Sequence, residues 1–181
     1  MNQHKLHNLG NTIGLICISI LLTIAFIDQF TLNELPCPLC LLQRVCFIAV
    51  GLCMALNLQR GARTSHYGLM ILSALLGFSI SLRQIFLHVG PGDTGYGSPM
   101  WGIYLYGWAA IFYCVIIGFT AIGLLFENGF DKPQQKSKIF QAVILLLLTL
   151  TAANSLSTLL ECGFGICPAD PVKYRLLSKP L

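Results

Sequence analysis

The stretch Leu35-Pro36-Cys37-Pro38-Leu39-Cys40-Leu41-Leu42-Gln43-Arg44 lies between two long apolar runs and carries two cysteines at C-x-x-C spacing. Two intervening residues allow a small, reversible disulfide ring, the arrangement used by thiol–disulfide exchangers. Pro36 and Pro38 suit a helix entrance, where a residue without an N–H loses nothing. If the apolar run that follows is helical, Cys40 sits in its first turn. Unpaired N–H groups and the positive end of the helix dipole then stabilise a thiolate there. Arg44 follows at i+4 on the same face and adds a permanent cation. A structural staple closing so short a loop would constrain the unfolded chain little, and it has no need of that cation. The stretch reads as a reactive dithiol at the mouth of a membrane helix.

The surrounding chain supports that setting. Of its 181 residues 55% are hydrophobic and 10% charged, with a mean hydropathy of +0.73. Soluble domains carry about 25% charged residues, so a soluble class is excluded, and too few charges remain for a nucleic-acid surface. Eight cysteines suggest a disulfide scaffold. Cys17, Cys46, Cys53 and Cys114, however, fall inside apolar runs, where cysteine packs as a small apolar residue. The first apolar run has no clear small-residue cleavage site and reads as a retained helix.

A span needs about 20 apolar residues. Candidate spans cover about 13–30, 41–58, 67–89, 100–126 and 139–160, leaving a tail at 161–181. The predicted fold is all-α: one integral membrane domain, a bundle of about five transmembrane helices. The fourth run opens with Trp101, Tyr104, Tyr106 and Trp108, rings suited to a membrane–water boundary. Lys5, Arg60, Arg63, Lys132, Lys136 and Lys138 fall on one side of such a bundle. The Cys37 loop and the connector at 90–99 have no lysine or arginine, and Lys173, Arg175 and Lys179 of the tail weaken the asymmetry without reversing it. The positive-inside rule puts the N-terminus in the cytoplasm and the tail outside.

Five spans bring the Cys37 loop and the tail to the same side. The tail holds a second pair in Glu161-Cys162-Gly163-Phe164-Gly165-Ile166-Cys167-Pro168, with two glycines to permit a tight turn. Extended, the segment from Glu161 to Cys167 reaches at most about 23 Å, and neighbouring helices pack about 8–10 Å apart. The two pairs are thus within reach of one another, as a relay requires. The tail pair could equally order the tail as a structural disulfide. Four thiols converging on one metal form a third reading. At the outer end of the third span, Arg83, Gln84 and His88 either face a site or anchor at the interface.

The motif with its trailing arginine, at the opening of a second membrane helix, resembles the disulfide bond formation protein B (DsbB) family. Weaker likeness lies at Leu82-Arg83-Gln84 and Gly102-Ile103-Tyr104-Leu105-Tyr106, so that the resemblance spans four helices. It implies a thiol:quinone oxidoreductase of the bacterial inner membrane. Such an enzyme reoxidises a periplasmic thioredoxin-fold dithiol oxidase (DsbA-like) and passes electrons to ubiquinone or menaquinone. By position Cys37 and Cys40 would be the quinone-facing pair, with Arg44 binding quinone and Gln84 and His88 as further cofactor-binding candidates. In the best-known members the second pair lies in a long loop between the third and fourth helices. Here that loop is short and lacks cysteine, so the role falls by topology to Cys162 and Cys167. The rival readings are a quinone reductase resembling the vitamin K epoxide reductase family, where C-x-x-C lies on a late helix, and a non-enzymatic metal-binding membrane protein.

Overall fold

A computed structural model describes residues 3–32, 34–125 and 138–177. Phe126, the polar loop through Lys132 and Lys136, and Lys179 lie outside the described residues. Among those described the protein is all-helical, with α1 Gln3–Thr31, α2 Pro38–Arg60, α3 Thr64–Leu87, α4 Leu105–Leu125 and α5 Lys138–Cys162. All five helices are long and apolar enough to cross a membrane. The chain is a multi-pass membrane protein, and α2 is its centre, packed on α1, α3 and α5.

In lipid, apolar surface gains little by leaving its surroundings, so helices associate where small residues let backbones approach closely. Gly77 of α3 lies under the ring of Tyr113 of α4. That ring stacks on Phe47 of α2 with centroids 4.1 Å apart, and its hydroxyl donates to the Gln43 carbonyl at 2.6 Å. Ala74, Ala109 and Ala110 are buried beside it. Gly51 of α2 similarly admits Leu147 of α5 and Ile18 of α1. Leu72, Leu76, Phe119 and Leu125 stand outward.

Polar contacts close the end of the bundle away from Cys37. Asn57 donates to Asn11 of α1 at 3.1 Å, and its carbonyl oxygen meets His66 Nδ1 at 2.8 Å and the Arg63 N–H at 3.3 Å. Asn11 in turn donates to the Tyr67 hydroxyl at 3.1 Å, where His7 also bonds at 3.0 Å. These groups are buried in apolar surroundings, where an unpaired amide would cost several kcal/mol, so the network fixes the register of α1, α2 and α3.

At the opposite end the connector after α3 folds onto the stretch that precedes Cys37. Tyr96 donates to the Leu35 carbonyl, and Ser98 donates through its N–H and hydroxyl to Glu34 at 3.0 and 2.7 Å. Asp93 accepts from the Gly95 N–H at 2.7 Å and bonds His88 at 3.1 Å. The Gly95 N–H, and then His88, hold the Asp93 carboxyl below the ordinary carboxylate range. That turn is therefore intact at neutral pH and weakens only as acid protonates Asp93. The apolar stretch predicted from residue 100 becomes helical only at Leu105. Met100 and Ile103 instead pair across a tight turn, with Trp101 at φ 53° and Gly102 at φ 80°, left-handed values that no α-helix accommodates.

Gly77→Ala should lower the unfolding midpoint in detergent, because the Tyr113 ring is fixed from two sides and cannot retreat; overpacking of this kind costs about 1–3 kcal/mol. Gly68, which faces open space, supplies the matched control, and Gly68→Ala should leave the midpoint unchanged or raise it, through a stability gain of up to about 1 kcal/mol.

Candidate functional site

The site begins at the start of α2. Cys37 is the N-cap, with φ −65° and ψ 161°, and Pro38 occupies the first turn. The Cys37 sulfur accepts the Cys40 N–H at 3.2 Å and its carbonyl accepts the Leu41 N–H at 3.0 Å, so the thiol caps the helix as a serine oxygen would. Cys37 and Cys40 are unbonded thiols with sulfurs 2.7 Å apart. The hydrogen bond to Cys40 and burial push the Cys37 thiol well above its ordinary range.

Gln84 of α3 aims its amide at the pair, donating to Cys37 at 3.2 Å and to Cys40 at 3.3 Å. Its carbonyl oxygen accepts from Gln43 at 2.9 Å, which fixes the amide's orientation. Gln84 is 1% exposed. A buried donor beside a sulfur stabilises that sulfur when it carries negative charge.

Arg44 is the other charge-bearing group. Its Nη1 donates to Gln29 of α1 at 2.9 Å and to Asn154 of α5 at 3.0 Å, and its Nη2 donates to the Ala25 carbonyl at 2.8 Å. Gln29 is held in turn by donating to Ser157 at 2.7 Å and to the Tyr174 hydroxyl of the tail at 2.9 Å. A guanidinium has five N–H donors; three are used here, all on neutral oxygens. Among the described residues no carboxylate lies within ion-pair distance of Arg44.

An apolar cavity of about 290 Å³ opens between α1, α2, α4 and the connector. Cys40, Gln43 and Arg44 of α2, Asp28 and Gln29 of α1 and Glu34 are among its polar lining, and Leu22, Phe47, Trp108 and Phe112 are among its apolar walls. Of the residues singled out in the sequence, Cys37, Cys40, Arg44 and Gln84 therefore come together. His88 stands apart at the C-cap of α3, bonded to Asp93 and stacked on Tyr106 with centroids 5.7 Å apart; it does not line the cavity. Cys162 and Cys167 form a disulfide with Cα atoms 4.5 Å apart. Gly163, at φ 64°, ends α5 between them and returns its N–H to Leu159 at 2.8 Å. The tail then folds back, with the Leu176 N–H on the Leu160 carbonyl and the Arg175 N–H on that of Glu161. Among the described residues no group of three or more His, Cys, Asp or Glu side chains is arranged to hold a metal.

Sequence reasoning missed Gln29, Gln43, Asn154, Ser157 and Glu161 as parts of the site. A signal existed. Asn154, Ser157 and Glu161 recur at spacings of three and four inside an otherwise apolar run, and polar groups on one face of a span face the bundle interior.

The fold and this geometry define a multi-pass membrane protein with a pair of cysteine thiols near a buried cation. The chain belongs to the disulfide bond formation protein DsbB family, whose model matches residues 8–98. That stretch covers most of α1, all of α2 and α3, and most of the connector; α4, α5 and the tail disulfide lie beyond it. A disulfide bond formation protein B of Burkholderia thailandensis is 27% identical, over 71% of this chain and 95% of the relative. The protein of that name in Neisseria meningitidis serogroup C is 34% identical, over 65% of this chain and 78% of its own. That of Chromobacterium violaceum is 44% identical over a shorter stretch, 38% of this chain and 44% of the relative. No solved structure matches the chain.

Replacing Gln84 by Met, which keeps the volume but removes the donor, should slow alkylation of Cys40 at neutral pH by about tenfold, as expected for loss of one hydrogen bond to a charged acceptor. Rates measured by mass spectrometry on the reduced protein check this; an unchanged rate would mean that Gln84 serves packing alone.

Proposed function

We propose that the protein is a thiol:quinone oxidoreductase of the bacterial inner membrane that forms disulfides in a periplasmic thioredoxin-fold partner and passes the electrons to a membrane quinone. The observation that carries this reading is the Cys37–Cys40 dithiol at a helix entrance, with Cys40 on the wall of an apolar cavity that Arg44 also lines, in a chain of the DsbB family. The residues present fit a quinone. Flat apolar walls suit its ring, and Arg44 retains donors for an electron-rich oxygen. Cys40, Gln43 and Arg44 would hold the headgroup, while Leu22, Phe47, Trp108 and Phe112 would enclose it. When bound, quinone supplies a two-electron, two-proton acceptor.

The protein's own residues do the rest. A thiolate of the reduced partner attacks the Cys162–Cys167 bond. Cys162 is 5% exposed and Cys167 more open, so attack falls on Cys167, and Cys162 leaves as a thiolate facing inward. The partner's second thiol then displaces Cys167, which completes the partner's disulfide and leaves the tail pair reduced. Cys162 next attacks the oxidised Cys37–Cys40 pair, and Cys167 resolves the mixed bond. The tail disulfide is restored, and both electrons rest on Cys37 and Cys40. Gln84 and the α2 N-terminus stabilise charge on Cys40, and Cys37 closes the ring as the electrons leave. In this reading the N-terminus is cytoplasmic, and both cysteine pairs face the periplasm. Contact between the tail and the site runs through Tyr174, Gln29 and Arg44, which supports the tail as the outer member of the relay.

Purified protein given a reduced thioredoxin-fold dithiol partner should reduce quinone, and both Cys40→Ser and Cys162→Ser should abolish turnover. Activity that survives Cys162→Ser would make the tail disulfide structural. No turnover in folded parent protein, across several partners and quinones, would overturn the reading.

A further inference from the structure

Glu161 has no part in the relay described above. It is 0% exposed, and neither carboxyl oxygen has a hydrogen-bond partner. It sits on the face of α5 that carries Asn154 and Ser157, one turn beyond Ser157. Its electrostatic neighbours are Arg44 and Cys40. Arg44, for its part, feels Cys40, Glu161, Tyr174 and Cys37, while every hydrogen bond it makes goes to a neutral oxygen. The other ionisable group reaching toward Glu161 is Tyr96 of the connector. From α1 come the neutral amide of Gln29 and the Asp28 carboxyl group, which lines the cavity with Arg44 and Cys40, and Glu34 is engaged by Ser98.

One buried cation thus faces Glu161 and Cys40, each able to become an anion, and it is hydrogen-bonded to neither. A buried charge without a counter-charge costs several kcal/mol, so one anion beside Arg44 is favourable, while none or two are not. We propose that Glu161 and Cys40 share Arg44: Glu161 is ionised while Cys37–Cys40 is a disulfide, and it takes up a proton when Cys40 becomes a thiolate. The proposal rests on Cys37–Cys40 being the exchanging pair.

The step balances. A donor dithiol loses two electrons and two protons and becomes a disulfide. The Cys37–Cys40 bond breaks on accepting the two electrons. One proton goes to Cys37 and the other to the Glu161 carboxylate, and Cys40 remains a thiolate. The site's charge is unchanged, because the negative charge has moved from Glu161 to Cys40. When the pair is reoxidised, both protons leave with the electrons. Glu161 is thus a positioning residue for a proton, acting through Arg44.

The test uses the full-length protein in detergent, freed of quinone and equilibrated against a small dithiol and its disulfide. The state of Cys37 and Cys40 is read by alkylation and peptide mass spectrometry. Between about pH 5.5 and 7.5 the reagent keeps its protons, ordinary thiols titrating near 8.5. If Glu161 holds the second proton, the parent's equilibrium constant is flat across this range. Glu161→Gln cannot take that proton, so each reduction releases one, and the constant should rise about tenfold per pH unit. A parent constant that already rises, or a variant as flat as the parent, overturns the proposal. Should Glu161→Gln fail to fold, infrared difference spectra of the unsubstituted protein decide: reduction should add one protonated-carboxyl band, and its absence is equally fatal. The readout concerns only Cys37–Cys40. Turnover surviving Cys162→Ser would remove the tail from the relay and leave this result standing, whereas a flat variant profile would remove Glu161 and leave the relay standing.

Discussion

Arg44 is the constraint around which the cysteine end of the bundle is built. A guanidinium inside a membrane bundle is tolerable only if its lost hydration is replaced, and here α1 and α5 replace it. Hydrogen bonds to a charged group are worth about 1.5–3 kcal/mol each, so three of them offset a desolvation penalty of several kcal/mol. The same three bonds join α1, α2 and α5 at one level. Gln29 then extends the network to Ser157 and to Tyr174 of the tail. The cation is thereby held one turn below the dithiol with donors to spare, and it is positioned by helices rather than by loops.

The connector after α3 is the second element that shapes the site. Though short, it is tied to Leu35 and Glu34, immediately ahead of Cys37, and its last residues wall the cavity through Met100 and Trp101. Trp108 donates to the Met100 carbonyl at 3.0 Å, so the turn before α4 and the first turns of α4 form one piece. The connector carries no cysteine, and the disulfide-bonded pair Cys162–Cys167 sits at the end of α5. There a left-handed glycine and a disulfide turn the chain back toward the bundle. A fifth helix supplies both that outer pair and the polar face on which Asn154, Ser157 and Glu161 stand.

Much of this architecture was legible in the amino-acid sequence. Five apolar runs of spanning length, the proline-flanked C-x-x-C and the arginine at i+4 each rest on local spacing, and local spacing survives folding. The start of α4 was not legible, since apolarity continues through residues 100–104 while the backbone there turns left-handed at Trp101 and Gly102. Gln84 and His88, four residues apart, looked equivalent as polar groups near one helix end. Only packing separates them, Gln84 facing the sulfurs and His88 facing Asp93 at the C-cap of α3.

The class of molecule, the helices, the dithiol and the cation near it follow from the amino-acid order alone, because hydropathy, helical period and C-x-x-C spacing are properties of neighbouring residues. The tertiary structure decided which remote residues complete the site. Gln29, Gln84, Asn154 and Glu161 come from three other helices, and nothing local to them specifies a partner on α2. Their convergence is set by how glycine and alanine surfaces let the helices approach and by the need of a buried guanidinium for oxygen ligands, both of which exist only once the bundle has packed.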